Sequence, residues 1–452
     1  MKKNDIIQME INSISSDGNG VGRFEGMAVF VPKTAAGDVI SCRIVKVCKK
    51  YAFGIIDKII SPSEYRTDSR YCSVFGKCGG CVYRHIDYAA ETAAKEKIVR
   101  DAFARLGRLD IPFDEMIPCE NTEHYRNKAQ YPISYENGKA VYGFYAARSH
   151  RVIPCGKCGL QPSVFSDIAD DVCGYINSKK LTVYDEKTGK GTVRHLYLRR
   201  GHYSGEIMVC VIVSHSAEKQ LKGLCSLLTE KYGDIKSIVM NINPDRTNVI
   251  TGEKCVTLWG SGRIADTMCG NRIFISPLSF YQVNTPQAEK LYGKALEYAQ
   301  LTGAETVLDL YCGTGTVGLS AARYAKKIIG CEIIPQAVEN ARENAAANNI
   351  SNAGFFCGDA GDIAAELADK NIRPDVIITD PPRKGCDEKT LLSMVRMSPR
   401  RIVMISCNPA TAAKDTAFLA ENGYAPVKVS AVDMFPGTGH VECVVLMSRV
   451  EK

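Results

Sequence analysis

Apolar residues change their spacing several times along this chain, and each change predicts a different class of element. From residue 1 to 60, short apolar runs are cut by glycines. Ile6–Ile14, Met27–Pro32, 38–48 and 52–60 each read as one strand of a small barrel. Asp17-Gly18-Asn19-Gly20-Val21-Gly22 reads as a turn cluster. Residues 91–109 carry the i, i+3, i+4 spacing of an amphipathic helix. Beyond about residue 120 the period returns to two, with strands expected at 129–135, 140–145, 193–199 and 206–213. From about residue 276 apolar runs alternate with helical stretches, which implies a mostly parallel sheet with crossover helices. At 452 residues the chain is too long for one ordinary core. The predicted organisation is an α/β chain in three parts: a β-barrel (1–60), a β-rich central domain (61–275) and a Rossmann-like domain (276–452). Helix 91–109 is free to pack on the last of these.

Composition narrows the picture modestly. Hydrophobic and charged contents of 45% and 24% are those of a globular protein, neither disordered nor membrane-embedded. The start carries no apolar stretch of signal-peptide length, and no run approaches the roughly 18 apolar residues of a membrane span, so a cytoplasmic protein with no membrane attachment is expected. A net charge of +7 permits a polyanionic partner without requiring one. Lys33, Arg43, Lys46, Lys49, Lys50 and Tyr51 on the small barrel suit an oligonucleotide, or a solvated surface. The mixture His195, Tyr197, Arg199, Arg200, His202 and Tyr203 likewise suits nucleic acid or one face of an edge strand. Nineteen cysteines in a reducing compartment are not a disulfide framework, so the question is which of them cluster.

Past residue 300 the ends of the predicted strands carry acids and a thiol. Residues 306–319 read as a strand, a glycine loop (Cys312-Gly313-Thr314-Gly315) and a helix start. Glycines let the backbone approach a ligand closely at a helix N-terminus. Asp309 ahead of the loop disfavours phosphate and favours a cationic or zwitterionic ligand. Glu332 ends the next strand where it would suit ribose hydroxyls. Asp359 follows a third, suited to an adenine amino group, and Asp380 ends a fourth in the stiff run Asp380-Pro381-Pro382-Arg383. Any one of these acids could instead cap a helix. Ile402-Val403-Met404-Ile405 then lead into Ser406-Cys407-Asn408-Pro409, a buried strand stopped by a proline with a thiol at its carboxyl end. That is where open α/β sheets place their chemistry. Residues 433–442 bring a carboxylate and a histidine to a second strand entrance, and a thiol with a nearby base is a covalent-catalysis pair. A buried structural cysteine is the bland alternative.

The four acid-tipped strands together resemble the class I S-adenosylmethionine-dependent methyltransferases. A thiol beside a methyl sulfonium narrows the chemistry, because carbon 5 of uracil takes a methyl group readily once a thiolate has added to carbon 6. Phe280-Tyr281-Gln282-Val283-Asn284, Asp309 to Gly315, Asp380-Pro381-Pro382-Arg383, Ser406 to Thr411 and Asp433 to Glu442 resemble the bacterial RNA uracil-5-methyltransferases, in particular the 23S ribosomal RNA branch. The resemblance covers nearly the whole chain. It implies Cys407 as nucleophile and Glu442 as general base. It places Gln282, Asp309, Tyr311, Gly313, Gly315, Glu332, Asp359 and Asp380 around S-adenosylmethionine or the target base. It also identifies residues 1–60 as similar to the TRAM domain, an RNA-binding barrel.

Cys72, Cys78 and Cys81 lie in a glycine-rich loop, and Cys155 and Cys158 follow later. Spacing alone allows zinc or an iron–sulfur cluster. The resemblance favours a [4Fe–4S] cluster held by Cys72, Cys78, Cys81 and Cys158. The expected partner is 23S rRNA, presented as a single-stranded or loop uridine flipped into the site, and the expected state is a monomer. Phe280 and Tyr281 are candidate stacking partners, or strand core. A transfer RNA uracil-5-methyltransferase is the nearest rival, though such enzymes usually lack the barrel and the cysteine group. A non-catalytic iron–sulfur RNA-binding protein is the rival of another class.

Overall fold

The computed structural model describes residues 1–67 and 72–450. Residues Ile6–Ser61 form a closed five-stranded barrel whose lumen is filled by Ile11, Val29, Val31, Ile40 and Ile44. Alternate burial along Ile6–Ile14 is the period-two pattern read from the sequence. The glycine-rich stretch after Asp17 departs from expectation. Only Gly18 turns, at φ 75°, and Asn19–Phe24 is a strand. Gly20 and Gly22 are there for close packing: a Cβ on Gly20 would lie 1.9 Å from Thr34 Oγ1, and one on Gly22 would lie 2.5 Å from the Glu10 carbonyl.

The central domain is a seven-stranded sheet with helices Ser163–Ser178 and Glu218–Lys231 on one face. Its strands Val193–Arg200 and Ile207–Val213 are buried on both faces. The second face packs into the core of the C-terminal domain, through Tyr197, Met208, Cys210 and Ile212. Tyr197 and Arg199 are therefore 2% and 1% exposed and, with His195, belong to the interior, whereas Arg200 is half-buried and His202 and Tyr203 are exposed.

The C-terminal domain is an eight-stranded sheet. Ala353–Cys357, Lys327–Glu332, Thr306–Leu310, Val376–Thr379 and Arg401–Ser406 run parallel in that order. Glu442–Arg449 inserts antiparallel between Arg401–Ser406 and Tyr424–Val432. Phe113–Ile117 adds a parallel edge strand beyond Tyr424–Val432. Helix Tyr88–Asp101, extended by one wide turn to Gly107, packs through Val99, Ala102 and Phe103 on the same sheet's core. Residues 88–117 thus sit with the C-terminal sheet, although they precede the central domain in the chain. Among the described residues no helix is long and apolar enough to cross a membrane.

Candidate active site

The order of the parallel strands reverses between Thr306–Leu310 and Val376–Thr379, and at that switch point the carboxyl ends of the strands open a crevice. Cys407 stands at its rim, half-buried, one residue past Arg401–Ser406. Asn408 caps the following helix, accepting from Ala410 N (3.2 Å), and its amide donates to the Arg383 carbonyl (3.0 Å). The thiol is thereby fixed against the Asp380–Arg383 loop.

Burial raises the Cys407 pKa, and the charges of Glu442 and Asp380 add to that rise. The Arg383 guanidinium, within hydrogen-bonding reach, opposes it. Glu442 opens strand Glu442–Arg449 directly across from Val432 and is buried. Burial pushes its carboxyl up to about 8, with Asp380 adding and Arg383 opposing. Asp380, at the end of the neighbouring strand, is pushed to about 7 by burial. Two carboxyls poised near neutrality beside a thiol and a guanidinium are a constellation suited to proton transfer. His440 is held down to about 4 by burial and by Arg383, whose Nη2 lies 3.1 Å from both ring nitrogens. It is neutral at pH 7.

The loop carrying Glu442 into place is clamped from distant parts of the chain. Gly437 accepts from Val82 N (2.8 Å) and donates to Glu91 Oε1 (2.7 Å). Tyr125 Oη donates to the Pro436 carbonyl (2.9 Å), and Asn284 Nδ2 donates to that of Met434 (3.1 Å). Lys95 is wholly buried, with Nζ 2.6 Å from Glu91, 2.7 Å from Asp433 and 3.2 Å from the Phe435 carbonyl.

The glycine loop lies on the other side of the crevice. Gly313 and Gly315 adopt φ 56° and 82°, conformations that favour glycine. Gly313 N donates to Glu332 Oε2 (3.1 Å), and Ile334 N donates to Oε1 (2.9 Å). Tyr311 is half-buried against Thr390. Asp309 is 1% exposed, accepts from Gly318 N (2.8 Å) and is raised to about 8 by burial, so it braces the loop from behind. Asp359 caps helix Ala360–Asp369 through Gly361 N and Asp362 N. Ile333, Ile334 and Phe356 remain exposed beside these acids and suit a flat apolar ring. Gln282 is buried beside Tyr292, which also neighbours Asp380.

The tRNA (Uracil-5-)-methyltransferase family pattern matches residues 263–450, and that of the TRAM domain matches residues 2–56. An uncharacterized RNA methyltransferase of Bacillus cereus is 42% identical over all of this chain and 98% of its own. One of Clostridium tetani is 40% identical over 99% of this chain and 97% of its own. The chain belongs to the RNA uracil-5-methyltransferase family. It is an S-adenosylmethionine-dependent enzyme acting on RNA. A tRNA (uracil-54, C5)-methyltransferase of Pyrococcus abyssi, solved with S-adenosyl-L-homocysteine, is 26% identical with a TM-score of 0.77, covering 98% of this chain and 100% of that one.

Within this methyltransferase, Cys407, Glu442 and Asp380 lie close enough to act on one another's protonation, Gln282 and Asp380 both neighbour Tyr292, and Gly313 bonds Glu332. Phe280 is 64% exposed, whereas Tyr281 is buried, its hydroxyl donating to Asp266 (2.9 Å). Arg383 was legible only as the last residue of a motif, and nothing local marked it as the cation beside the thiol. Cys72, Cys78, Cys81, Cys155 and Cys158 line one cavity of about 130 Å³. Among the described residues no three metal-ligating side chains are grouped closely enough to hold a single ion. The Cys155 thiol donates to the Lys157 carbonyl (3.5 Å) and, lying beside Cys158, lowers the pKa of that residue.

Proposed function

We propose that the enzyme methylates carbon 5 of a uridine in 23S ribosomal RNA through a covalent adduct between Cys407 and carbon 6. The Cys407 thiol set among Glu442, Asp380 and Arg383 carries this reading. Cys407 passes its thiol proton to the ionised carboxylate of Asp380, Arg383 steadies the thiolate, and the sulfur adds to carbon 6. The resulting enolate oxygen takes hydrogen bonds from Arg383 or the protonated Asp380. Carbon 5 attacks the methyl carbon, the bond from methyl to sulfur breaks, and the neutral thioether S-adenosylhomocysteine leaves. Glu442, in its ionised form, removes the proton from carbon 5, the bond from carbon 6 to sulfur breaks, and the thiolate is restored. Gln282, Tyr311, Gly313, Gly315 and Glu332 hold the cofactor in this scheme, while Asp309 and Asp359 shape the backbone that receives it. The exposed Phe280 stacks on the flipped base.

The five thiols bear on the cluster. Cys72, Cys78, Cys81 and Cys158 line one cavity and are the ligands assigned here to a [4Fe–4S] cluster, with Cys155 beside them. Such a cluster would tie the Cys72–Cys81 loop to the central sheet. Anaerobically purified protein should be brown and contain iron and acid-labile sulfide. Colourless protein with stoichiometric zinc would overturn this assignment.

Transfer RNA is the second reading, favoured by the full-length likeness to the Pyrococcus abyssi enzyme, which removes the barrel as a discriminator. The deciding experiment incubates the enzyme with S-adenosylmethionine and 5-fluorouridine-substituted RNAs, then maps the adduct by mass spectrometry. Fluorine does not leave as a proton, so the complex is trapped. A methylated adduct on the Cys407 peptide from 23S fragments supports the proposal. An adduct from transfer RNA alone replaces the substrate, and an adduct on another residue overturns the mechanism.

A further inference from the structure

Lys128 and Arg199 occupy directly opposed positions on neighbouring antiparallel strands. Like charges so placed repel, and folded proteins avoid them. Arg199 is 1% exposed. Its Nη1 donates to the Ser279 carbonyl (3.1 Å), and its Nε has no partner. The charged neighbours that Lys128 feels are cations, Arg199 and Arg126. A buried unpaired charge beside another is costly and persists where an anion completes the site. The cations continue as a line toward the chemistry. The Arg126 guanidinium lies 5.7 Å from the Phe435 ring and acts on His440, and His440 touches Arg383 beside Cys407. On the other flank, Asn127 Nδ2 donates to the Gln282 carbonyl (2.8 Å), which fixes the pair beneath the Phe280–Gln282 segment.

We propose that Lys128, backed by the buried charge of Arg199, binds a phosphodiester of the RNA backbone next to the target uridine. The site reads no sequence. It sets where the strand leaves the crevice once the base has been flipped. The inference rests on the RNA reading of the crevice and adds an anion site some residues removed from the catalytic groups. Burial together with Arg199 and Arg126 lowers the Lys128 pKa to about 8, and a bound phosphate would relieve that strain.

The test uses the full-length enzyme and a short single-stranded RNA containing one uridine, with an uncharged methylphosphonate at the linkage on either side of it in two separate RNAs. Affinity is followed by fluorescence anisotropy across a salt series. For the wild type, one of the two substitutions should weaken binding about tenfold or more. Lys128→Ala should bind the unmodified RNA correspondingly weakly, lose nothing further with that methylphosphonate, and show a log–log salt slope shallower by about 0.7. Lys128→Arg should restore both. The melting temperature of free Lys128→Ala should rise, since a repulsion is removed, which separates the phosphate role from a structural one. Equal methylphosphonate penalties in wild type and Lys128→Ala, or an unchanged salt slope, would overturn the proposal. If the wild type methylates no RNA yet keeps the Lys128-dependent phosphate effect, the site stands and the reading of Cys407 falls.

Discussion

Lys95→Met tests whether the loop bearing Glu442 depends on a buried ion network. Lys95 is wholly buried and serves two carboxylates that are themselves 6% and 0% exposed. Methionine fills the same volume but leaves Glu91 and Asp433 facing each other with no cation. The least costly response is for one carboxyl to take a proton, and Glu91 is the candidate, since burial already holds its pKa above the ordinary value. Forcing a carboxyl with an unfolded pKa near 4.3 to stay neutral costs about 1.4 kcal/mol per pH unit above that value: roughly 5 kcal/mol at pH 8 and about 1 kcal/mol at pH 5. The sign follows from the raised folded pKa: full stability below the unfolded pKa, progressively lost as pH rises. The upper figure agrees with the 3–5 kcal/mol typical of breaking a buried pair. Urea unfolding of wild type and variant at pH 5 and pH 8, followed by near-ultraviolet circular dichroism, measures the difference. Lys95→Met combined with Asp433→Asn should recover much of the loss at pH 8. A loss under about 1 kcal/mol at pH 8, or one independent of pH, would refute the reasoning.

Four further outcomes are expected. Cys407→Ala should form no covalent RNA complex on denaturing gels while its affinity for RNA stays within about twofold, because the thiol makes one contact among many. Glu442→Gln should methylate and then stall, slowing release about 10²- to 10⁴-fold and accumulating a methylated adduct visible by intact mass. In the wild type, the release step should accelerate as pH rises through about 8, since burial holds Glu442 protonated below that value and the base works only when ionised. Glu442→Gln should lose this titration in stopped-flow measurements. Gly315→Ala should weaken S-adenosylmethionine binding in calorimetry by about tenfold: the residue sits at φ 82°, and its new Cβ would lie 3.2 Å from the Phe355 ring.

The placement of the candidate groups was legible in the sequence because they sit where strands end. An apolar run stopped by Asn408-Pro409, and glycines around Thr314, are local signals that need no knowledge of the rest of the chain. What escaped was non-local. Lys95 reads as an ordinary helix lysine until Asp433, far along the chain, is placed against it. Phe113-Asp114-Glu115-Met116-Ile117 has too few apolar residues to announce a strand, because as an edge it buries little. The alternation at 195–203 misled because its strand is covered on both faces, by helices and by a second domain, so polarity no longer reports exposure. Gly20 and Gly22 looked like turn residues because tight strand packing and turning ask for the same missing side chain.

The edge strand Phe113–Ile117 has a consequence in time as well as space. A ribosome makes it, and the helix Tyr88–Asp101 before it, some 300 residues ahead of Tyr424–Val432, the strand it pairs with. At about 5–20 residues per second that is roughly 15–60 s in which this segment waits without its sheet, while the barrel upstream can already close on itself. The strand carrying Glu442 is the last among the described residues and inserts between two others. The C-terminal sheet therefore assembles from segments far apart in the polypeptide. A nascent or truncated chain that exposes Cys407 still lacks Glu442, so the proposed nucleophile and base come together only after some 35 further residues have been made.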